Sequence, residues 1–440
     1  IPPQYNKSSP PPMTTLLWQP SIPPEYHALS DTDIAARIED RRKRLGTALL
    51  ILGHHYQMDS VVNHADFTGD SLKLAQLAAS VVDERAAAGT PVSHLVFCGV
   101  HFMAETADIL TPDNVHVILP DLSAGCSMAD MADYDQTVEA WDLIHSSLTS
   151  QGWTGRIIPI TYVNSTAAIK AFVGDHAGAC CTSSNATQVF EWAMQGGTQP
   201  RAENENIKIL FLPDQHLGRN TAAAHGINTD TNTCVYDPRL TQQGEPLGGA
   251  TPDQILESDV ILWAGHCSVH KLFRPEHVAQ IREANEKLAP NEEPTRIIVH
   301  PECAKEVVDL ADESGSTEHI IKTIEAAAPG TKWAIGTEVH LVNRLANTHR
   351  ARNVHVEMLS DCQCLCTTMY RIDPPHLLWI LDGLCGIGTT KDKPWDHENG
   401  KPTARNIISV HPEAQRLAKL ALDRMLKHTG TGSVKNTQPT

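Results

Sequence analysis

Residues 261–273 read ILWAGHCSVHKLF. A run of large apolar residues ends abruptly at Gly265, His266, Cys267 and Ser268, and His266 and His270 bracket the cysteine. A continuous apolar run closed by small and polar residues is what a strand buried on both faces of a parallel sheet looks like. Similar runs recur: ALLILGHHY (48–56), HLVFCGVHF (94–102), VHVILPD (115–121), RIIPITYVN (156–164), IKILFLPDQH (207–216), RIIVHPEC (296–303) and KWAIGTEVH (332–340). Helical patterns such as DSLKLAQLAASVVDERA (70–86) and STEHIIKTIEAAA (316–328) lie between them. Strands alternating with helices predict an α/β chain with parallel sheets. In such sheets ligands bind outside the carboxyl ends of the strands, and here every such end is rich in polar residues. One large sheet and three small α/β/α layers around a shared site fit this rhythm equally. No internal repeat is visible in the residue identities.

The chain has 440 residues, enough for roughly three domains at about 150 residues each. Hydrophobic residues make up 41% and charged residues 20%, the balance of a folded globular protein. The formal charge of −17 argues against nucleic acid or an anionic membrane as partner. An anionic substrate would need local positive potential. No stretch approaches ~18 consecutive apolar residues, and the N-terminus lacks the order of a signal peptide. Eleven cysteines, an odd number, point to reduced thiols or metal ligands rather than a disulfide scaffold, so a cytoplasmic location is expected. The first 24 residues are proline-rich and cannot form a core alone; Met13 is a candidate native start. The tail from Thr429 is expected to be disordered.

Three helix starts are rich in hydroxyls: Ser71 in TGDSLKLA, Ser183 and Ser184 in CTSSNATQVF, Ser316 and Thr317 in ESGSTEHIIK. Each alone reads as an ordinary cap. Together they could also hold anions at exposed N–H groups and positive helix ends. Cys126 follows a strand in PDLSAGCSMADM, Cys267 follows the opening run, and Cys362, Cys364 and Cys366 crowd SDCQCLCTTM. A single cysteine is usually an inert core residue. Small residues before Cys126 and Cys267 allow close backbone approach, which suits a cofactor. No CxxC pair of the kind zinc prefers is present, whereas three separated thiolates could hold an iron–sulfur cubane with one iron open. Acid–base candidates stand at the other strand ends: His54, His55, Tyr56 and Gln57; Tyr162 and Asn164; His300, Glu302 and Cys303; Thr337, Glu338 and His340. Burial after a strand is expected to raise the Glu302 pKa and suit it to proton transfer.

Taken in order, GHHYQ, GDSLKLA, GVHFMAETA, LPDLSAGCSMADM, YVNS, TSSNA, FLPDQHLGRN, GHCSVH, HPEC, GTEVHLVNRL and a late Cys-x-x-Met resemble the quinolinate synthase family from about Leu50 to Met369. The resemblance implies three similar α/β/α domains with parallel sheets around a pseudo-threefold axis and a central site. It implies a 4Fe–4S cluster on Cys126, Cys267 and Cys366 with one open iron, Cys366 being the cysteine that precedes Met369. Cys364 remains an alternative third ligand, because the CxCxC spacing and the following Thr367 and Thr368 depart from the family pattern. The implied reaction condenses iminoaspartate with dihydroxyacetone phosphate to quinolinate for NAD biosynthesis, losing phosphate and two waters. Transient contact with the enzyme supplying iminoaspartate is a further expectation. Carried over motif by motif, Tyr56, Glu302 and Tyr162 are expected to be catalytic. His54, Ser71, Phe102, Asn164, Ser183, His270, His300, Ser316 and Thr317 are expected to contact substrate. Domains are expected at 30–130 with 367–428, at 131–267 and at 268–366, between disordered tails 1–29 and 429–440. Relative to a minimal member, surplus is expected in the N-terminal tail, around Gln195 to Asn206, at 226–249 and after Cys385.

Overall fold

A computed structural model describes residues 19, 21–361, 364–387 and 401–428. It contains three parallel sheets, so the three-unit arrangement is the one the chain adopts. The first sheet holds β1 (Leu49–His54), β2 (Phe67–Gly69), β3 (His94–Cys98) and β4 (His116–Ile118), in the order β2-β1-β3-β4. The second holds β5 (Arg156–Tyr162), β6 (Ala179–Cys181), β7 (Ile207–Leu212), β8 (Thr233–Tyr236) and β9 (Val260–Trp263), in the order β6-β5-β7-β9-β8. The third holds β10 (Thr295–Val299), β11 (Glu313–Ser314), β12 (Lys332–Gly336) and β13 (His355–Met358), in the order β11-β10-β12-β13. The three orders are one topology repeated, and the extra edge strand β8 lies inside the stretch expected as surplus.

All strand pairings are parallel, which requires a crossover between neighbours, and helices supply it. Burial explains the continuous apolar runs: every residue of β1, β7 and β9 is buried. In the third sheet the two faces separate cleanly. Ile297, Val299 and Ala334 join one apolar cluster, while Ile298, Trp333 and Ile335 join another, as the two-residue period of a strand demands. The first two units share one continuous core.

The chain end returns to earlier units. Helix Pro374–Leu384 packs on helix Asp31–Leu45, and helix Pro412–Lys427 packs on helix Ala167–Asp175 and β6. Ile407 bridges Ile118 and so closes the open edge of β4. Residues 21–29, assigned to a disordered tail on composition, are ordered instead: Ile22 is buried in the core, and helix Pro24–His27 buries Tyr26, whose hydroxyl donates to Asp382 Oδ2 at 2.9 Å. The partner that orders this segment is over 350 residues away, so local composition could not reveal it. The rest of that tail and residues 429–440 lie outside the described residues. Among the described residues no helix is long and apolar enough to cross a membrane.

Candidate active site

Equivalent strand ends from all three units meet at one cavity. β1, β5 and β10 each end in polar residues two apart: His54 and Tyr56, Tyr162 and Asn164, His300 and Glu302. β2 and β11 lead to helices that start at Ser71 and Thr317, and β6 leads to Ser183 in the turn three residues before the helix that starts at Ala186. β4, β9 and β13 lead to Cys126, Cys267 and Cys366. All of these, with Phe102 and His270, line a narrow cavity of about 60 Å³ that is partly open to solvent. Ser316 is the exception among the expected residues: its hydroxyl accepts the His319 N–H at 3.3 Å as a helix cap, and it is not on the cavity wall.

The cysteine segments repeat in geometry where the sequence hides it. Each cysteine sits three residues before a 3₁₀ turn (Ala129–Met131, His270–Leu272, Met369–Arg371) and eight before a longer helix that starts at Tyr134, Pro275 or Pro374. Each cysteine carbonyl accepts the N–H of the fourth residue on, Asp130 at 3.1 Å, Lys271 at 3.1 Å and Tyr370 at 3.0 Å. The turns also aim backbone N–H groups at sulfur: Ala129 and Met128 at Cys126, His270 at Cys267, Met369 and Thr368 at Cys366. Burial nevertheless pushes the Cys126 thiol up to about 12 and the Cys267 and Cys366 thiols above their ordinary value. Such sites favour thiols until a cation replaces the protons. No other described cysteine lines this wall. Cys364 is fully buried in the core of the third unit, and its carbonyl accepts the Val339 N–H at 3.1 Å. Cys362 lies outside the described residues. Three converging sulfurs, each served by N–H donors, fit a group that takes three thiolates.

Two of these turns are held from beneath by buried acids. Asp214 Oδ1 caps helix Gln215–Ala224 through the N–H groups of His216 and Leu217, both at 2.8 Å, and its Oδ2 accepts the Cys267 N–H at 3.1 Å. Glu338 Oε2 caps helix Val339–His349 through His340 at 2.8 Å and Leu341 at 3.4 Å, and its Oε1 accepts the Cys366 N–H at 3.5 Å. Val100 occupies the matching cap position in the first unit. Sequence reading passed over Asp214 and took Glu338 for an acid–base candidate. The usable signal was an acid directly between a strand and a helix, in LPDQH and GTEVH. The close approach at Gly265 is also intramolecular rather than toward a cofactor, because a Cβ there would meet Pro213 O at 2.2 Å.

His270, Glu302 and Tyr162 form the polar centre. His270 Nδ1 is 2.7 Å from Glu302 Oε2, and His270 Nε2 is 3.1 Å from Thr337 Oγ1. The Tyr56 hydroxyl bonds Thr317 Oγ1 at 3.1 Å and Thr337 Oγ1 at 2.9 Å. Burial alone would raise the Glu302 carboxyl, as expected from sequence. The neighbouring His270, with hydrogen bonds from His270 and Tyr162, outweighs it and holds the carboxyl well below the usual range. Glu302 is therefore an ionised acceptor. Burial pushes Tyr56 and Tyr162 well above their ordinary value, and the Glu302 charge adds to the shift. Burial pushes His54 and His300 down to about 3. The site thus offers one carboxylate, two phenol donors and the uncharged imidazoles of His54 and His300.

The wall also suits anions. The helices beginning at Ser71 and Thr317 present their N-termini to it, and His300 Nε2 is 3.2 Å from Ser183 Oγ. Lys170 is fully buried behind Phe102, with Nζ 5.4 Å from the ring centroid and bonded to Ser165 O. Asn164 Oδ1 is buried with no partner among the described residues, on the wall of a cavity that must satisfy it.

Comparison with known proteins agrees with this geometry. A family model described as quinolinate synthetase A protein matches residues 36–427. The quinolinate synthase of Acidobacterium capsulatum is 48% identical over 92% of this chain and 95% of its own length. Those of Streptomyces coelicolor (45%, covering 92% and 90%) and Bacillus velezensis (47%, covering 93% and 96%) are similar over comparable spans. The matched span takes in all three sheets and every residue of the cavity wall, and on that ground the chain belongs to the quinolinate synthase family.

Proposed function

We propose that this enzyme of NAD biosynthesis condenses iminoaspartate with dihydroxyacetone phosphate in the central cavity, in the cytoplasm, with a 4Fe–4S cluster on Cys126, Cys267 and Cys366. The observation that carries the reading is the convergence of those three thiols on the wall that also holds Glu302 and two helix N-termini. When bound, the cluster supplies a Lewis-acidic iron for removal of a hydroxyl, the kind of step a metal assists without redox change.

The chain's own residues account for the rest. Both substrates are anions. Positive helix ends at Ser71 and Thr317, with the Ser183 hydroxyl, offer them N–H and O–H donors despite the net charge of −17. Glu302, held ionised by His270, takes protons during isomerisation of the triose and ring closure. Tyr56 and Tyr162 keep their protons and donate to oxygens that gain charge. His54 and His300, uncharged at neutral pH, orient carboxylate or phosphate by hydrogen bonding. Asn164 Oδ1 accepts from the bound intermediate, and Phe102 closes the wall against water.

Anaerobic reconstitution with iron and sulfide counting, followed by product analysis with and without dihydroxyacetone phosphate, tests this. Quinolinate formed only with both substrates and a loaded cluster is the expected result. A loaded protein that dehydrates a hydroxy acid without the triose phosphate would replace the reading with another hydro-lyase.

A further inference from the structure

We propose that when the three-cysteine centre is empty, Cys267, His270 and Glu302 bind a single divalent transition-metal ion of the Zn²⁺ or Co²⁺ type. One ligand atom from each of the three lies within 4.8 Å of the others. Cys267 and His270 stand three residues apart across one tight turn, and Glu302 enters from the end of β10. His270 and Glu302 are buried, while the sulfur is on the cavity wall.

Thiolate, imidazole and carboxylate together suit zinc or cobalt rather than magnesium or calcium. Three protein ligands with a fourth direction open to the cavity is the pattern of an open zinc site. The hydrogen between His270 Nδ1 and Glu302 Oε2, 2.7 Å apart, marks where a cation finds two donors at once. Metal–ligand bonds of about 2.0–2.3 Å place tetrahedral ligands roughly 3.3–3.8 Å apart, so the His270–Glu302 pair opens slightly and the Cys267 side chain swings inward. The Cys267 thiol releases its proton to solvent. His270 Nδ1 gives up its hydrogen, and the ring carries one on Nε2, where Thr337 Oγ1 already sits at 3.1 Å to accept it. That outer contact fixes the ring, as outer partners of ligating histidines do.

The consequence is competition. Cys267 belongs to both metal sets, so a zinc-loaded chain cannot complete the three-cysteine centre until the ion is removed. Acids and thiols that define catalysis and cluster binding also make the empty enzyme a trap for the wrong metal.

The test uses Co²⁺ alone, added anaerobically to the full-length cluster-free chain and followed by absorption. One ion per chain is expected, with a thiolate-to-cobalt band and tetrahedral visible bands. Cys126→Ser and Cys366→Ser, which cannot hold the three-cysteine centre, should keep that spectrum, whereas Cys267→Ser should lose the thiolate band. His270→Ala and Glu302→Ala should weaken binding at least tenfold, with His270→Gln and Glu302→Gln as substitutes if far-ultraviolet dichroism shows either alanine variant unfolded. Co²⁺-loaded wild type should resist cluster reconstitution until chelator is added. A spectrum that disappears in Cys126→Ser or Cys366→Ser, or persists unweakened without His270 and Glu302, or no stoichiometric binding at all, overturns the proposal.

Discussion

His270 Nδ1 stands 2.7 Å from Glu302 Oε2, joining the turn after β9 to the end of β10 with both side chains buried. This contact turns a carboxyl that burial would neutralise into a carboxylate. Glu302→Gln keeps the size and one acceptor but removes the base. Turnover should fall by about 10²–10⁴, the ordinary scale of general acid–base catalysis, with cluster content unchanged. Turnover near wild type would leave Glu302 a structural residue only.

His300 sets a pH dependence of opposite origin. Its folded pKa, about 3, lies below the ordinary histidine value of 6.5 because burial disfavours the charged ring. Between pH 6.5 and 3 the unfolded chain binds this proton and the native chain does not, so stability rises with pH across that window and is flat above it. Each pH unit inside the window is worth about 1.4 kcal/mol. His300→Gln should therefore lose about 2 kcal/mol less stability than wild type when cluster-free protein is taken from pH 6.5 to 5. Parallel denaturant midpoints for the two proteins across that range would show that His300 is protonated normally.

The central strands were legible in the sequence because each is a long apolar run buried on both faces. Every strand anticipated from such a run is present. The strands that escaped notice are β2, β6, β8, β11 and β13, all two to four residues long and at sheet edges, too short for an apolar run to stand out even where, as in β6, every residue is buried. The threefold repetition escaped for a different reason. His54, Tyr162 and His300 occupy one position of the repeat, and Tyr56, Asn164 and Glu302 another. Backbone geometry is repeated while the chemistry is divided among the units, so residue identity carries almost no trace of it. The second role of Asp214 and Glu338 was equally hidden, since each looks like a helix cap until the Cys267 and Cys366 N–H groups are placed beside it.

The division of labour among the crowded cysteines is open to direct measurement. Replacing Cys126, Cys267 or Cys366 by Ala should abolish the reconstituted cluster and leave the fold intact, because each thiol is on the cavity wall rather than in a core. Cys364→Ala should retain the cluster at a modest cost in stability, about 1 kcal/mol for a buried atom removed. Cluster loss in the reduced Cys364→Ala protein, with Cys366→Ala unaffected, would move the third ligand.

Asp214→Asn and Glu338→Gln separate capping from positioning. In each, the remaining oxygen can keep the helix cap, while the new amide group turns donors toward the Cys267 or Cys366 N–H. Donor facing donor pushes the cysteine backbone away. Both variants should therefore lose cluster faster on air exposure than wild type, followed by loss of its visible absorption, while the cluster-free chain loses no more than the cost of one buried unsatisfied N–H, about 1–3 kcal/mol. The effect should be larger for Asp214, whose bond to the cysteine N–H is 3.1 Å against 3.5 Å for Glu338. Equal decay rates in variants and wild type would reduce both acids to caps.

Gly265 ties the opening stretch to the rest of the site. It bridges Asp214, its carbonyl accepts the Gln215 N–H at 3.0 Å, and its N–H donates to Trp263 O at 2.7 Å. An added Cβ would stand 2.2 Å from Pro213 O, a backbone atom that no side-chain rotation can move. A methyl group at this position is thus accommodated only by parting the segment 264–267 from the segment 213–215. That movement takes Cys267 off the Asp214 carboxyl oxygen, and so the same substitution strains the fold and displaces a thiol from the cavity. Gly265→Ala should destabilise the cluster-free chain by about 1–3 kcal/mol, the usual range for overpacking, and should lower cluster occupancy after anaerobic reconstitution well below wild type. Gly89→Ala is the control. Gly89 has open space around its Cβ position but a φ of +75°, so it should cost stability through backbone strain without any loss of cluster. If Gly265→Ala and Gly89→Ala reconstitute equally, the tight approach at Gly265 serves packing alone and does not position Cys267.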